Sequence, residues 1–313
     1  MTLTTQVLSP VVTAGGLYPA LSMLINQIAM PNMVARQFYQ PFTLQASNSI
    51  TFPKQSGSAA AVINEVAEGS EILLDMTDYS FVNVVPYKVG HGFIVSRETI
   101  EDSLLPIQQD QIVRASMRAA NKIDIDCVTT LLAGIPAQNI VQAAGQSMGM
   151  DGTVFTFSGS GAQQGYGVGQ YDLVDAKRRL ETGSYMPDTL LVDPTTKMYI
   201  EKNPHFISYL YVGRNVIDAG LKQVPGAFGT LLGLDAYCSV NCTTGSAYVI
   251  SRGRTANILG QYSPLGFFVE KRPLTTAVKP IEERDSVGVF ITARYSPVVI
   301  RGEASAMVND IGF

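Results

Sequence analysis

The sequence predicts an α+β fold in which one long helix connects an extended β-hairpin to a mixed α/β region. A helical pattern runs without interruption over residues 107–133, and strand patterns precede it at 49–52 and 79–85. A helix–strand–helix pattern occupies 171–201, and strand patterns return after Gly266. We therefore expect the chain to leave one domain, build a second and return to the first.

The composition is that of a chain with a large core and a thin polar surface. Hydrophobic residues make up 46% of the sequence and charged residues only 15%, against about a quarter in typical soluble domains. Burial between subunits would account for this shortage of charge. The net charge of -4 argues against a surface that neutralises phosphates, since nucleic-acid binders concentrate Lys and Arg on one face. We expect any nucleic acid near this protein to be enclosed by it and not tightly bound to it.

The cysteines and the amino terminus bear on the compartment. Cys127, Cys238 and Cys242 form an odd set in a chain without a secretory pattern, which favours reduced thiols. The first basic residue is Arg36, so the start of the chain lacks the positive charge of an export signal. Polar residues and prolines interrupt the apolar stretch 17–35 short of the ~20 residues of a membrane span. We expect assembly in the cytosol and no membrane partner.

The first 41 residues are expected to form an apolar amino-terminal arm. Prolines and glycines are spaced through it and allow at most one short helix around 20–29. Such an arm must lie on another surface.

Residues 42–96 are expected to form an extended β-hairpin. Its two strand patterns flank a tip that is rich in small and acidic residues, including Glu65, Glu68 and Glu71. Legs of about 15 to 20 residues would project on the order of 50 to 65 Å. Because a two-stranded ribbon of this length is not stable alone, it needs a neighbouring molecule on which to rest.

The pattern at 107–133 predicts a helix of roughly 40 Å. Pro106 precedes it, and Gly134 and Pro136 end it. Its apolar residues recur every three to five positions and are expected to face the core. They are Ile112, Val113, Met117, Ala120, Ile123, Val128 and Leu131.

Residues 135–265 are expected to form a second domain of α/β character. A helix is predicted at 171–183, with one apolar side formed by Leu173, Val174, Ala176 and Leu180. A strand at 189–192 follows, and Asp193 and Pro194 then open another helix, with the aspartate as N-cap. The remaining strands are predicted near 236–237 and 247–250 and, after Gly266, at 267–270, 286–293 and 298–301.

Two glycine-containing segments resemble catalytic or phosphate-binding motifs. Gly145, Ser147 and Gly149 match G-x-S-x-G, but a strand pattern follows where a helix is required, and the sequence holds only two histidines. The glycines between 159 and 169 lack both the G-x-G-x-x-G spacing and a following G-K-S/T. We interpret the first segment as a turn and the second as a flexible loop, and we expect no catalytic residue.

Candidate metal and acid–base sites are also incomplete. Cys238 and Cys242 are four residues apart, but a closed zinc site needs two further ligands. The carboxylates between 65 and 78 have no accompanying pocket pattern and are interpreted as a solvated or subunit-facing acidic edge. We expect neither a metal ion nor a cofactor.

An ordered set of short motifs covers most of the chain after residue 36. These motifs are ITFPK at 50–54, AEGSE at 67–71, YKVG at 87–90, VSRET at 95–99, AKRRL at 176–180, TLLVDP at 189–194, DSVGV at 285–289 and YSPVV at 295–299. Together they resemble the Hong Kong 97-type major capsid proteins of tailed bacteriophages and related viruses. The resemblance implies an arm, an extended loop, a peripheral domain with a spine helix and an axial α/β domain. The boundaries are 1–41 for the arm, 42–96 for the loop, 97–134 with 266–313 for the peripheral domain and 135–265 for the axial domain.

The resemblance also implies a function. The chain would self-assemble into hexamers and pentamers of an icosahedral virus head that encloses double-stranded DNA, would be built in the host cytoplasm and would not be an enzyme. Scaffold, portal and decoration proteins are the further partners that such a head suggests. The charged residues expected to contact neighbouring subunits are Arg36, Lys54, Glu65, Glu68, Glu71, Arg97, Glu98, Arg252, Arg254, Lys271 and Arg272.

Two other functions stay open at this point. A bacterial encapsulin compartment shares the fold and would carry an enzyme cargo, and a soluble α/β enzyme would need a pocket that the sequence does not indicate. Some members of the capsid family crosslink a hairpin lysine to a neighbour's asparagine. Lys54 and Asn309 match no clear motif for this reaction, and we expect no crosslink.

Overall fold

The computed structural model describes eleven stretches of the chain, and the fold is given for these alone. They are residues 33–55, 79–96, 98, 107–143, 146–148, 154–156, 170–202, 226–252, 265–281, 285–309 and 311. The elements in chain order are β1 (Gln40–Thr43), β2 (Ile50–Gln55), β3 (Tyr79–Val84), β4 (Tyr87–Ser96), α1 (Ile107–Gly134), β5 (Ile140–Gln142), β6 (Gln146–Met148), β7 (Val154–Thr156), α2 (Gln170–Thr182), β8 (Thr189–Val192), α3 (Pro194–Lys202), β9 (Ala227–Leu231), β10 (Leu234–Cys238), β11 (Ala247–Ile250), β12 (Gly266–Ile281), β13 (Ser286–Val299) and β14 (Ser305–Asn309).

A four-stranded sheet combines strands from before and after the long helix, in the order β1-β12-β13-β4. β12 and β13 form a long antiparallel hairpin, β4 pairs antiparallel with β13, and β1 runs parallel to β12. The segment predicted as a separate strand at 298–301 is instead the end of β13, which continues to Val299. Pro297 does not interrupt the strand, since it sits opposite Phe268 within the ladder.

Helix α1 covers one face of this sheet, and its predicted length is confirmed. Its residues Ala120, Ile123 and Leu131 are buried on the side of the helix that faces the core, as their spacing indicates. Met117, which was predicted to face the core, has 49% of its surface exposed. Five residues after Ile112 a side chain has turned away from the buried stripe, and the small Ser116 takes the inward position.

The second main sheet has six strands, in the order β5-β14-β11-β8-β10-β9. All four residues of β8 and all four of β11 are buried, so these central strands are covered on both faces. Leu173, Ala176 and Leu180 of α2 are fully buried against this core, whereas Val174 is largely exposed, contrary to its predicted inward position. A residue one step from Leu173 points about 100° away around the helix.

The predicted cap of α3 is confirmed. The carboxylate of Asp193 accepts hydrogen bonds from the backbone N–H groups of Thr195 at 2.9 Å and Thr196 at 3.2 Å. These donors would otherwise lack partners at the helix start. The cap also fixes the turn between β8 and α3.

The end of the chain returns to the six-stranded sheet. β14 pairs antiparallel with β11 and parallel with β5, although residues 266–313 were assigned to the other domain in the sequence-based division. Before β14, Gly302 lies so close to the end of α1 that a Cβ at this position would overlap the carbonyl oxygen of Gly134. The connection between β13 and β14 therefore meets the end of α1 at a contact that only glycine permits.

The last residues of the predicted arm belong to the main core. Met33, Ala35, Phe38 and Tyr39 are buried there, and the Tyr39 hydroxyl donates to the Cys127 carbonyl at 2.7 Å. The preceding 32 residues lie outside the described part of the chain.

The G-x-S-x-G segment does not form the predicted turn. Residues 146–148 are β6, which pairs antiparallel with β7. The glycine run at 159–169 lies outside the described residues. No helix in the described part of the chain combines the length and apolar character that a membrane crossing requires.

Candidate subunit-contact surfaces

Part of the segment 42–96, which was predicted to form a hairpin, is an antiparallel ribbon of β2 and β3, in register from Ile50 opposite Val84 to Gln55 opposite Tyr79. The end of that segment is instead β4, which pairs with β13 in the four-stranded sheet. The base of the ribbon packs on its own subunit, where the Phe52 ring stacks on the Phe267 ring with centroids 4.5 Å apart. On the other face of the ribbon Phe81 has 70% of its surface exposed. The ribbon is thus anchored on one face and uncovered on the other.

Lys54 stands on the anchored face and pairs with Glu303, with Nζ and Oε1 3.4 Å apart. Asn309, the conceivable crosslinking partner, lies in β14, where its Oδ1 accepts a hydrogen bond from the Ser246 hydroxyl at 3.3 Å. The absence of a crosslink stays a prediction.

Two other predicted contact residues are engaged within the subunit. Arg36 lies over the Phe268 ring, 4.6 Å from the centroid, and 3.5 Å from a carboxylate oxygen of Glu270. The Lys271 ammonium donates to the Ser47 carbonyl and to the Asn48 side chain. These bonds tie residues near the amino end of the described chain to β12.

Arg252 was expected to be exposed, and this expectation is wrong. Only 8% of its side chain is exposed, and it pairs with Asp188 at 3.3 Å and Asp235 at 2.9 Å. Burial by itself lowers the pKa of Arg252, but the charge of Asp188, with Tyr237 and Asp235, holds it above its ordinary value. A cation buried between two carboxylates fixes the strand ends to which they belong.

Of the remaining predicted contact residues, two lie in the described part of the chain. Glu98 and Arg272 are exposed. The others lie outside the described residues: Glu65, Glu68, Glu71, Arg97 and Arg254. Contact with neighbouring subunits stays a prediction for all of them.

The four-stranded sheet has one face that α1 does not cover. We call it the open face. Cross-strand partners place four residues from each of three strands on it. These are Lys88, Gly90, Gly92 and Ile94 of β4, Gly288, Phe290, Thr292 and Arg294 of β13, and Arg272, Thr275, Ala277 and Lys279 of β12.

The centre of the open face is apolar and flat. The Phe290 ring lies across two glycines, since a Cβ at Gly92 or Gly288 would meet ring carbons at 2.8 or 3.0 Å. Ile94 beside it has 52% of its surface exposed. An apolar surface with a glycine floor allows close approach of another chain.

One end of the open face is basic. Lys88, Arg272 and Arg294 line a cavity of about 320 Å³ together with Pro86, whose carbonyl accepts a hydrogen bond from Arg294 Nε at 3.0 Å. Lys88 and Arg294 were missed as site residues by the sequence reasoning. Lys88, Arg294 and Arg272 are cross-strand neighbours in one row of the sheet. They could have been grouped only if the register of all three strands had been known.

Asp124 of α1 joins three parts of the subunit. Its carboxylate accepts hydrogen bonds from Ala35 N at 2.6 Å, Ser239 Oγ at 2.7 Å and Asn241 Nδ2 at 2.9 Å. The group is fully buried, so these bonds replace the water that it loses.

A neighbouring carboxylate, Asp126, connects the helix to the sheet. It accepts hydrogen bonds from the hydroxyls of Tyr87 and Tyr295, each at 2.8 Å, and from Lys122 at 2.6 Å. Burial raises the pKa of both tyrosines, and the adjacent Asp126 raises it further. The tyrosines therefore act as neutral donors that hold the sheet on α1.

The cysteines offer no activated thiol among the described residues. Burial raises the pKa of Cys127, Cys238 and Cys242, whereas a nucleophilic or metal-binding cysteine needs a lowered one. Nor does any group of three His, Cys, Asp or Glu side chains in the described stretches lie where it could hold a metal ion.

Comparison with known proteins identifies the family of the chain. Residues 82–309 match a family model described as phage capsid protein. The chain belongs to the phage capsid protein family. This capsid protein is similar in structure to the capsid of the cyanophage P-SCSP1u, with a TM-score of 0.61, 12% identity and coverage of 87% of this chain and 86% of that one. No curated protein sequence matches it.

Two further solved structures bear on the fold of the capsid protein. The mature capsid of bacteriophage PhiM1 gives a TM-score of 0.57 at 13% identity, over 89% of this chain and 87% of that one. A virus-like particle from Pyrococcus furiosus gives 0.54 at 9% identity, over 94% and 100%. At these identities the likeness shows the fold, which is of the Hong Kong 97 type, as the sequence motifs indicated.

Proposed function

We propose that this capsid protein assembles into the hexamers and pentamers of an icosahedral head that encloses double-stranded DNA. The observation that carries the proposal is the ribbon of β2 and β3, whose outer face is uncovered at Phe81. A two-stranded ribbon gains little stability alone. A neighbouring subunit lying against its outer face supplies the missing burial.

The open face of the four-stranded sheet adds a second contact. Each contact is modest, but a subunit that touches several neighbours gains effective concentration with every contact, so a closed shell is stable although a dimer is weak. Exposed charges such as Glu98 and Arg272 set the register of these contacts more than their strength.

The DNA is held without sequence recognition. The net charge of -4 gives little phosphate neutralisation, so the shell confines the genome and does not bind it tightly. Assembly takes place in the host cytoplasm, with scaffold, portal and decoration proteins as further partners. The protein performs no catalysis.

Expression of the protein alone tests the assembly step. Electron microscopy of purified material should show closed shells or flat arrays of hexamers. Glu68→Lys in the predicted hairpin tip should impair closure while the subunit keeps its circular dichroism spectrum. A monodisperse monomer at all concentrations would contradict the proposal. Normal particles from the variant would remove Glu68 from the contact.

A second candidate function is a protein compartment of the encapsulin type. It is favoured by the likeness to the Pyrococcus furiosus particle, which covers the whole of that chain. Nuclease treatment of particles isolated from the natural source separates the two. Contents that are protected nucleic acid support the virus head, and contents that are a folded protein cargo support the compartment.

A further inference from the structure

Three cations stand side by side in one row of the four-stranded sheet. Arg294 of β13 lies opposite Arg272 of β12 on one side and opposite Lys88 of β4 on the other. Residues directly opposite each other on antiparallel strands have Cβ atoms about 4.5 to 5.5 Å apart, and like charges in such pairs destabilise the sheet. The subunit by itself therefore carries an electrostatic cost at this row.

No carboxylate among the described residues relieves that cost. None of the ion pairs in the described part of the chain includes Lys88, Arg272 or Arg294. β4, β12 and β13 contain a single acidic residue, Glu270, which pairs with Arg36. A conflict of this kind that persists in a folded protein is typical of a functional site.

The row surrounds a cavity, and one of its arginines is held in place. The three cations line about 320 Å³ of space together with Pro86 and Thr292. Arg294 is half-buried, and its Nε donates to the Pro86 carbonyl at 3.0 Å. Within the described part of the chain its two terminal nitrogens make no hydrogen bond. A guanidinium fixed in this way presents a planar set of donors that matches an oxyanion.

The size of the cavity favours a small ligand over a polymer. Its volume is near the lower end of the range for small-molecule sites, about 300 to 1,000 Å³. A nucleic-acid backbone needs a track of cations, and the next cation of the open face is Lys279, in the row of Ile94. That row is six residues from Lys88 along β4, which corresponds to about 20 Å.

The charge of the row favours a dianion. A phosphate carries about 1.5 to 2 negative charges at pH 7, whereas a carboxylate carries one. Phosphate therefore neutralises more of the charge of Lys88, Arg272 and Arg294, and its several oxygens can accept hydrogen bonds from more than one of them.

We propose that the cavity between Lys88, Arg272 and Arg294 binds a free phosphate ion. The two arginines donate hydrogen bonds to its oxygens, and the Lys88 ammonium pairs with the remaining charge. All three residues belong to one subunit, so binding does not require assembly.

Nuclear magnetic resonance of the unassembled, 15N-labelled full-length protein tests the site. Sodium phosphate replaces sodium chloride at constant ionic strength, so that screening of the surface charges stays the same. The Nε–Hε signals of Arg272 and Arg294 should shift together and saturate with one dissociation constant, below about 10 mM. Signals that do not saturate, or equal shifts for every arginine of the protein, would overturn the proposal.

Two substitutions separate charge from fold. Lys88→Gln with Arg272→Gln removes two exposed cations and should weaken phosphate binding at least about tenfold, whereas Lys88→Arg keeps the charge and should stay within about threefold of wild type. If circular dichroism shows that the double variant is unfolded, Arg272→Gln alone should still weaken binding about threefold. Unchanged affinity in a folded variant that lacks Arg272 would contradict the assignment.

A matched control makes the same change in net charge away from the cavity. Arg178→Gln with Lys279→Gln alters two exposed positions, of which Lys279 lies on the same open face. Phosphate affinity should stay within about twofold of wild type. Equal weakening in the control and in the cavity variant would make net charge responsible and would overturn the proposal.

A single-stranded DNA oligonucleotide without terminal phosphates supplies the other source of phosphate groups. At an ionic strength of about 0.15 M, we expect the arginine signals to need at least about tenfold more DNA, counted as phosphate groups, than inorganic phosphate for the same shift. Tighter binding of the oligonucleotide at the same residues would make a nucleic-acid backbone the ligand, and the assignment of a free ion would be wrong.

Discussion

The two main sheets of this capsid protein differ in how completely the subunit covers them. In the six-stranded sheet, every residue of β8 and β11 is buried, and helix α2 packs its apolar side against that core. In the four-stranded sheet, α1 covers one face, and the other leaves Phe290 and Ile94 in contact with solvent. The first sheet is buried by folding of the subunit, and we propose that the exposed face of the second is buried by association.

The difference assigns separate tasks to regions of one chain. Full burial of the central strands supplies hydrophobic stability to the isolated subunit. Surfaces such as the ribbon of β2 and β3 contribute little to that stability. We propose that these surfaces contribute contacts after assembly, so mutations in the two regions should act on different measurements.

The largest expected effect is in the six-stranded sheet. Leu190→Ala removes a fully buried side chain of β8 and should lower the free energy of unfolding by about 2 to 5 kcal/mol. Phe290→Ala, the matched change on the open face, should cost less than about 1 kcal/mol, since the ring already touches solvent. Urea unfolding of unassembled subunits measures both. Equal losses would show that the two faces are equally part of the subunit core.

A second variant tests the connection between the regions. Asp124→Ala leaves the donors on Ala35, Ser239 and Asn241 without their acceptor and should cost about 2 to 3 kcal/mol. Asp124→Asn keeps one side-chain oxygen as acceptor, so the free energy of unfolding should fall by less than in Asp124→Ala. Both are measured by thermal unfolding. A larger loss for the asparagine variant would contradict this account of the junction.

Phe81→Ser tests whether the outer face of the ribbon contributes to assembly. Because Phe81 is uncovered in the subunit, its replacement should change the free energy of unfolding by less than about 0.5 kcal/mol. Particle yield, measured by sedimentation at equal protein concentration, should fall several-fold. Unchanged yield would remove the outer face of the ribbon from the contacts.

The smallest expected effect concerns a surface charge of the six-stranded region. Burial alone raises the pKa of Asp175, but hydrogen bonds from Arg178 and Arg179 outweigh it and hold the pKa below its usual value of 3.8. A carboxylate with a lowered folded-state pKa stabilises the protein above its unfolded-state pKa, and this contribution is lost as the pH falls through the folded-state value.

Asp175→Asn should therefore lower the free energy of unfolding at pH 7 by about 0.5 kcal/mol, a typical value for an exposed pair, and should make no difference near pH 2. Chemical unfolding of the variant and the wild type at both pH values measures this. A constant difference across the pH range would assign the effect to packing.

Local sequence patterns accounted for most of the helices. The length of α1 followed from an apolar period bounded by Pro106 and Gly134, and the start of α3 followed from Asp193, whose side chain bonds to the backbone within three residues. Short strands were harder: β1, β5, β9 and β14 were not predicted, and β6 was predicted as a turn. Segments of three to five residues show no periodicity that separates them from loops.

The candidate surfaces were predicted less completely than the elements. The pairing of β2 with β3 and the exposure of Arg272 could be inferred from sequence. Arg252 was expected at the surface, but it is buried. Whether an arginine is buried depends on carboxylates such as Asp188, which lies 64 residues away and reaches it only through the pairing of β8 with β11.

Local patterns in the sequence were enough to predict the long helix, the paired strands at 50–55 and 79–84, the N-capped helix after β8 and the phage capsid family. Each of these depends on residues that are close together in the chain. The tertiary structure decided that β14 joins the six-stranded sheet, that Gly302 meets Gly134, and that Lys88, Arg272 and Arg294 share one face. These arrangements depend on which strands pair and in which register, and the pairing energy comes from segments far apart in sequence.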